Sequence, residues 1–449
     1  VIDRGRLGQL HDRERTRFVE LHPRSAELAA AAAPHLLGGV PMAWMTRWPG
    51  AFPLVATEAE GARIVDADGI EYVDFALGDT GAMGGHARPF VTEAVAEQAA
   101  RGITTMLPSP DAAWVAGELA RRFGLPTWQF ALSATDANRF VLRLARHLTG
   151  RPKVAVFDWC YHGTVDEALV VLDADGCVVP RPGSLGPQTD PALTTRVVPF
   201  NDVDALVRAL AAGDVACVLA EPALTNIGIV LPEPGFHDAL RSATVEAGTL
   251  LVIDETHTIC AGPGGYTAAH GLAPDFVTVG KPIAGGVPAA AYGMSAEVAG
   301  ALDAVVHDEG IDVSGIGGTL TGNALSVAAM RAALANGLRE EDFAVAVPLA
   351  EAWAAGADGA IEEQGLPWTV QRLGSRAEYW FCPPPRDGAA AAAAVDPELE
   401  AFLHLWSLNR GILLTPFHNM ALLSSSHTRA DVDRHTEVFS KALAALTRP

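Results

Sequence analysis

Two residues at the ends of successive apolar runs carry the chemistry this sequence offers: Asp254 in Val252-Ile-Asp254-Glu255, and Lys281 in Thr278-Val-Gly280-Lys281. A primary amine forms an imine with an aldehyde. A carboxylate beside a pyridine nitrogen keeps that nitrogen protonated, so that the ring accepts electrons from a neighbouring carbanion. These are the two groups that a pyridoxal site requires. Either residue alone reads as an Asp capping a turn or a solvated Lys, so the weight lies on the pair. A third element, Ser133-Ala-Thr-Asp-Ala-Asn138, opens a helical run directly after the apolar stretch at 128–132. A helix start presents unpaired N–H groups and a positive dipole end. The backbone of Ala134 and Thr135, with the hydroxyl of Ser133 or Thr135, therefore suits a phosphate.

These groups need elements that bring them to one edge. From about residue 110 onward helical and strand patterns alternate, as expected for a mainly parallel sheet with helices on both faces. Ser109-Pro110-Asp111 offers an N-cap and a first-turn proline for a helix over 112–123, which Gly124 and Pro126 stop. The helix at 135–148 places Phe140, Val141, Leu144, Ala145 and Leu148 on one stripe. Continuous apolar runs at 153–157, 215–220, 249–253 and 275–279 read as strands buried on both faces, with helices at 202–212 and 236–247 between them. Right-handed crossovers then place ligand groups at the carboxyl ends of the strands. After 320 the composition shifts to alanine-rich helix over 324–338 and 343–363, followed by a strand-like stretch at 369–381 and a Pro- and Ala-rich connector at 383–394. The last helix opens with Thr428-Arg-Ala-Asp431, a capping box with Asp in place of Glu.

The order Ser133-x-Thr-Asp-Ala-Asn138, Tyr161-His-Gly163, Glu221-Pro222, Asp254-Glu255, Lys281 and Gly318-Thr319-Leu-Thr-Gly-Asn323 resembles the class III (ornithine and omega) aminotransferase group of fold type I enzymes dependent on pyridoxal 5'-phosphate (PLP). The pattern looks most similar to glutamate-1-semialdehyde aminomutase and related amine and β-amino acid aminotransferases. The resemblance implies a large domain with a mostly parallel, seven-stranded type of sheet, and a smaller α+β domain from both chain ends. The expected division is 1–75 and 321–449 for the small part and 76–320 for the large.

It also implies roles. Lys281 is the Schiff-base lysine and proton shuttle, and Asp254 pairs with the pyridine nitrogen. Tyr161 stacks on the ring, while Ser133, Ala134 and Thr135 hold the phosphate. Asn226 reaches the phenolic oxygen, and Glu221 anchors the site through other side chains. Thr256 lies against the ring, either packing or hydrogen-bonding. Thr319 reaches the cofactor of a neighbouring subunit, which implies a homodimer. The implied reaction moves an amino group from an amine or amino acid to a keto acid or aldehyde, or, as the alternative, within one molecule.

The sequence departs from the family pattern at several points. Ala134 stands where glycine is usual, and Thr256-His257 follows Asp254-Glu255 where Val is frequent. Asp79 falls where relatives carry Trp, Tyr or Ser; it is either a charge facing substrate, offset by a cation such as Arg47, or a turn residue. Trp44, Trp48 and Phe417 form either a bulky substrate pocket or dimer core, and His162 completes the substrate candidates.

A net charge of −21 opposes nucleic-acid binding, and 49% hydrophobic with 19% charged residues excludes a disordered chain. Five scattered cysteines without CxxC spacing read as reduced thiols, and no metal site is expected. No run is long enough to cross a bilayer, and Val1 to Glu20 is charged and not secretory in character, so a cytoplasmic location is expected.

Overall fold

The computed structural model describes residues 2–185, 189–308, 310–416 and 418–447. Contacts divide the chain into two units: Val1–Arg88 with Glu341–Pro384 and Ala394–Pro449, and Pro89–Glu340 with Pro385–Ala393.

In the second unit seven strands form one sheet: β1 (Thr127–Ala131), β2 (Lys153–Phe157), β3 (Thr195–Val198), β4 (Val215–Ala220), β5 (Leu250–Asp254), β6 (Phe276–Val279) and β7 (Ala290–Met294), in the order β1-β7-β6-β5-β4-β2-β3. Every residue of β4, β6 and β7 is buried, which is why these strands read as unbroken apolar runs without alternation. β7 runs antiparallel to both neighbours, and the remaining pairs are parallel. β5 and β6 pair in register with Asp254 opposite Thr278, so the ends carrying Asp254 and Lys281 lie side by side.

The helix Ala134–Thr149 is capped by Ser133 and stopped by Gly150 in the left-handed conformation. Its buried face is Ala137, Asn138, Val141, Leu142, Leu144 and Ala145, so the expected stripe is rotated toward Leu142, leaving Phe140 and Leu148 half-buried. The helix Asp111–Phe123 ends at Gly124 as expected, but its N-cap is Pro110, itself in helical geometry, and the Ser109 side chain makes no capping bond. The helix Ala324–Asn336 packs on the helices Pro89–Arg101 and Asp111–Phe123 and thus belongs to this unit. The unit boundaries fall at 88/89 and 340/341, whereas the division expected from the sequence ran at 75/76 and 320/321.

The first unit holds a four-stranded sheet of Ala56–Glu60, Arg63–Asp66, Glu71–Asp74 and Ile412–Leu413, and a three-stranded antiparallel sheet of Thr369–Leu373, Arg376–Trp380 and Met420–Leu422. The stretch expected as one strand is therefore a hairpin, turned at Gly374, whose φ of +56° suits a residue without a Cβ. Trp353, Tyr379, Phe402 and Phe439 fill its core. The capping box is formed: the Thr428 N–H donates to Asp431 Oδ2 (2.8 Å), and the Asp431 N–H to Thr428 Oγ1 (3.3 Å).

Candidate active site

Asp254 ends β5 with its carboxylate buried. Oδ1 accepts from the Thr256 N–H (3.0 Å), and Oδ2 accepts from Asn138 Nδ2 (2.8 Å) and lies 2.9 Å from His162 Nδ1. Asn138 also accepts from Thr278 Oγ1 through Oδ1 (2.7 Å) and donates to the His162 carbonyl (3.1 Å). One amide thus ties the first turns of the helix, the loop at 162 and the ends of β5 and β6 together. Burial alone would raise the Asp254 pKa, but the hydrogen bond and charge of His162, with Thr256 and Asn138, outweigh it and hold the group below its ordinary value. Burial also opposes a charged His162, yet Cys160 and Asp254 raise its pKa. Asp254 is therefore an anion. Three donors leave it room for one more, since a carboxylate offers about four acceptor positions. A protonated ring nitrogen fits that capacity.

Lys281 follows β6 at φ +49°, a left-handed conformation that an L-residue holds only under constraint. The residue before it is glycine where space is tight: a Cβ on Gly280 would sit 3.1 Å from Ala134 Cβ and 3.3 Å from Ala134 N. The lysine is thereby one peptide away from the helix start. The same contact explains how Ala134 is accommodated where relatives have glycine, since the bulk gained at 134 meets none at 280. Lys281 Nζ lies 2.6 Å from His257 Nε2.

At the helix start, Asp136 N–H bonds Ser133 Oγ and Ala137 N–H bonds the Ser133 carbonyl, so the N–H groups of Ala134 and Thr135 precede the first intrahelical donors and suit an anion. The two hydroxyls expected to join them are engaged within the protein: Ser133 Oγ donates to Asp136 Oδ2 (2.9 Å), and Thr135 Oγ1 accepts from the Thr164 N–H (3.1 Å). Gly163, at φ +80°, allows this approach, because a Cβ there would fall 2.0 Å from Thr135 Oγ1. Gly163→Ala is expected to destabilise the protein by about 2–3 kcal/mol, from left-handed strain plus overpacking. Urea unfolding at neutral pH would show this as a lowered midpoint at unchanged slope.

Tyr161 donates its backbone N–H to Glu221 Oε1 (3.2 Å), while Glu221 Oε2 accepts from the Thr225 N–H (3.1 Å) and hydroxyl. Leu224 and Val230 exchange backbone hydrogen bonds (3.1 and 3.0 Å), closing the loop that carries half-buried Asn226. Glu221 thus fixes two neighbouring segments; burial raises its pKa. The adjacent carboxylate of Glu255 accepts from Thr258 Oγ1 (2.6 Å) and from the N–H groups of Tyr266 (3.0 Å) and Thr267 (2.5 Å), which is a loop-holding arrangement. The Thr256 hydroxyl makes no hydrogen bond among the described residues, in keeping with packing.

His162, a substrate candidate on sequence, is instead 1% exposed behind Asp254, because the Asp254 carboxylate and Asn138 draw its loop inward. Thr319 is exposed in the turn closed by Thr321 N–H to the Gly318 carbonyl (2.9 Å). Trp44 and Arg47 are exposed in the short turn Ala43–Arg47 of the first unit. Asp79 sits half-buried in that unit within a left-handed run, Leu77, Gly78, Asp79 and Thr80 having φ of +44°, +58°, +50° and +82°. Asp74 Oδ1 pins the start of the run by accepting from Ala76 N (2.8 Å) and Leu77 N (3.0 Å). Phe417 lies outside the described residues. Sequence reasoning gave Asn138 and His162 no place beside Asp254. The one available signal was a polar residue, Asn138, on an otherwise apolar helix face.

A family model described as aminotransferase class-III matches residues 44–351. A glutamate-1-semialdehyde 2,1-aminomutase of Thermomicrobium roseum is 35% identical over 408 residues, covering 89% of this chain and 93% of that protein. The crystal structure of a glutamate-1-semialdehyde-aminomutase from Pseudomonas aeruginosa PAO1 is 52% identical, with a TM-score of 0.97 and 99% of both chains covered; a lysine-to-alanine variant of it is described in complex with PMP. An omega-transaminase from Sphaerobacter thermophilus is 30% identical, with a TM-score of 0.86 over 94% of this chain and 98% of that one.

Proposed function

Since the chain belongs to the class III aminotransferase family of fold type I enzymes, whose cofactor is pyridoxal phosphate, we propose that it moves an amino group from an amine or amino acid donor to a keto acid or aldehyde acceptor. One observation carries this reading: the buried Asp254 anion, held by His162 and Asn138, ends the strand beside the one that leads into Lys281, and Lys281 adjoins a helix start suited to phosphate.

The cofactor supplies an electron sink for the carbanion formed when the amine-bearing carbon loses its proton. The chain's own residues do the rest. Asp254 keeps the ring nitrogen protonated, and Ala134 and Thr135 N–H groups hold the phosphate. Tyr161 covers the ring face and Asn226 takes the phenolic oxygen. Lys281 Nζ would hold the cofactor and, once displaced by substrate, serve as the base that takes the proton from the amine-bearing carbon. Thr319 is assigned to the cofactor of a second copy, in a homodimer. The scattered thiols, none paired with another, favour a cytoplasmic setting.

A second reading, transfer between two carbons of one molecule, is favoured by the relative at 52% identity and by the curated relatives, which bear the aminomutase name. A panel of amines and amino acids, including glutamate-1-semialdehyde, assayed with and without a keto acid, separates the two. Amino transfer that needs the keto acid, with product equal to donor consumed, is the expected result. Sustained turnover of the semialdehyde with no acceptor would replace the first reading by the second, and no turnover of any donor would reject both.

A further inference from the structure

His257 has no part in the roles derived above, yet it is in polar contact with the lysine on which they depend: its Nε2 lies 2.6 Å from Lys281 Nζ. His257 is 8% exposed, and the chain on both sides of it is tied down. Before it, the Thr256 N–H is tied to Asp254; after it, a short helical turn Thr258–Ala261 begins, in which Ile259 N–H bonds the Glu255 carbonyl (2.9 Å) and Thr258 Oγ1 bonds the Glu255 carboxylate. The backbone on either side of the imidazole is therefore fixed, whereas a lysine side chain has four rotatable bonds.

We propose that His257 is a positioning residue for Lys281, whose Nε2 accepts a hydrogen bond from Nζ and aims the amine for its reaction with the cofactor aldehyde. In that reaction the Nζ lone pair attacks the aldehyde carbon and a carbon–nitrogen double bond replaces the C=O. The aldehyde oxygen leaves as water with the two protons of the neutral amine. The inference rests on the assignment of Lys281 as the attachment point.

The test follows capture of added pyridoxal phosphate by the full-length chain freed of cofactor, read as the rise of imine absorbance and fixed with borohydride for peptide mapping. His257→Phe, which fills the same space without an acceptor, is expected to slow capture about tenfold, the scale of one lost hydrogen bond. His257→Gln, whose amide oxygen can accept from Nζ, is expected to stay within about threefold of the parent. Capture by His257→Phe at the parent rate, or by His257→Gln as slow as by His257→Phe, overturns the proposal. His257→Leu replaces His257→Phe if thermal unfolding shows the latter misfolded. Label on a residue other than Lys281 in the parent protein would refute the attachment point itself, an outcome distinct from equal rates with label on Lys281.

Discussion

Lys281→Ala is expected to abolish covalent capture of pyridoxal phosphate and to lower amino transfer by at least about 10,000-fold. The effect is large because one atom serves twice. In the proposed reaction Nζ is the attachment point and, when released, the base that removes the proton from the substrate carbon, a task at which water is poorly placed. Stability should change little, since Lys281 is partly exposed and its strained φ of +49° is imposed by the tight approach of Gly280 to Ala134, which the substitution leaves intact. Borohydride reduction followed by peptide mapping, together with single-turnover assays, checks both halves. A variant that still bound the cofactor covalently, or turned over within about tenfold of the parent, would remove Lys281 from the centre of the mechanism.

Asp254→Asn is expected to lower turnover by about 100- to 1,000-fold, the scale for loss of one preorganised charge partner. An amide cannot hold a pyridine nitrogen protonated, so the ring accepts electrons less readily even with Lys281 in place. Here stability should fall as well, by about 3 kcal/mol, because removing one partner of a buried pair leaves His162 facing no charge. The pH dependence follows from the direction of each shift. Asp254 is held below its ordinary 3.8, so its contribution is present above about pH 4 and is lost as pH falls through the depressed value. His162 is raised above its ordinary 6.5, so its contribution is full below about pH 6.5 and declines as pH rises toward the raised value. The parent should thus gain most over Asp254→Asn between about pH 4 and 6.5, and the difference in unfolding free energy should shrink on either side. A difference that stayed flat from pH 3 to pH 9 would show that the pair does not titrate as its surroundings require.

The contrast between these two residues and their neighbours marks how far a linear chain could be read. Asp254, Lys281 and the helix start at Ser133 were legible because each stands at the end of an apolar run, and a buried parallel strand announces its carboxyl end by where its hydrophobic residues stop. The same logic found β2, β4, β5 and β6 and the helices between them, and the capping box at Thr428 and Asp431 was visible because its two residues lie three apart. The hairpin at Gly374 was missed: two short strands joined by a tight turn leave the same local signature as one long strand.

What residue types and their order settled by themselves was the kind of sheet and the edge to which it brings Asp254 and Lys281, the carboxylate and amine proposed for the chemistry, since these follow from local periodicity. Tertiary structure alone decided what makes those two groups usable. Asn138 meets Asp254 across 116 residues, His162 meets it across 92, and His257 reaches Lys281 across 24. It likewise decided that the helix Ala324–Asn336 packs with Pro89–Arg101, and not with the alanine-rich helices that follow it. Hydrogen bonds and close contacts such as Gly280 against Ala134 depend on ångström distances between segments remote in sequence, and no local pattern of polarity encodes such distances.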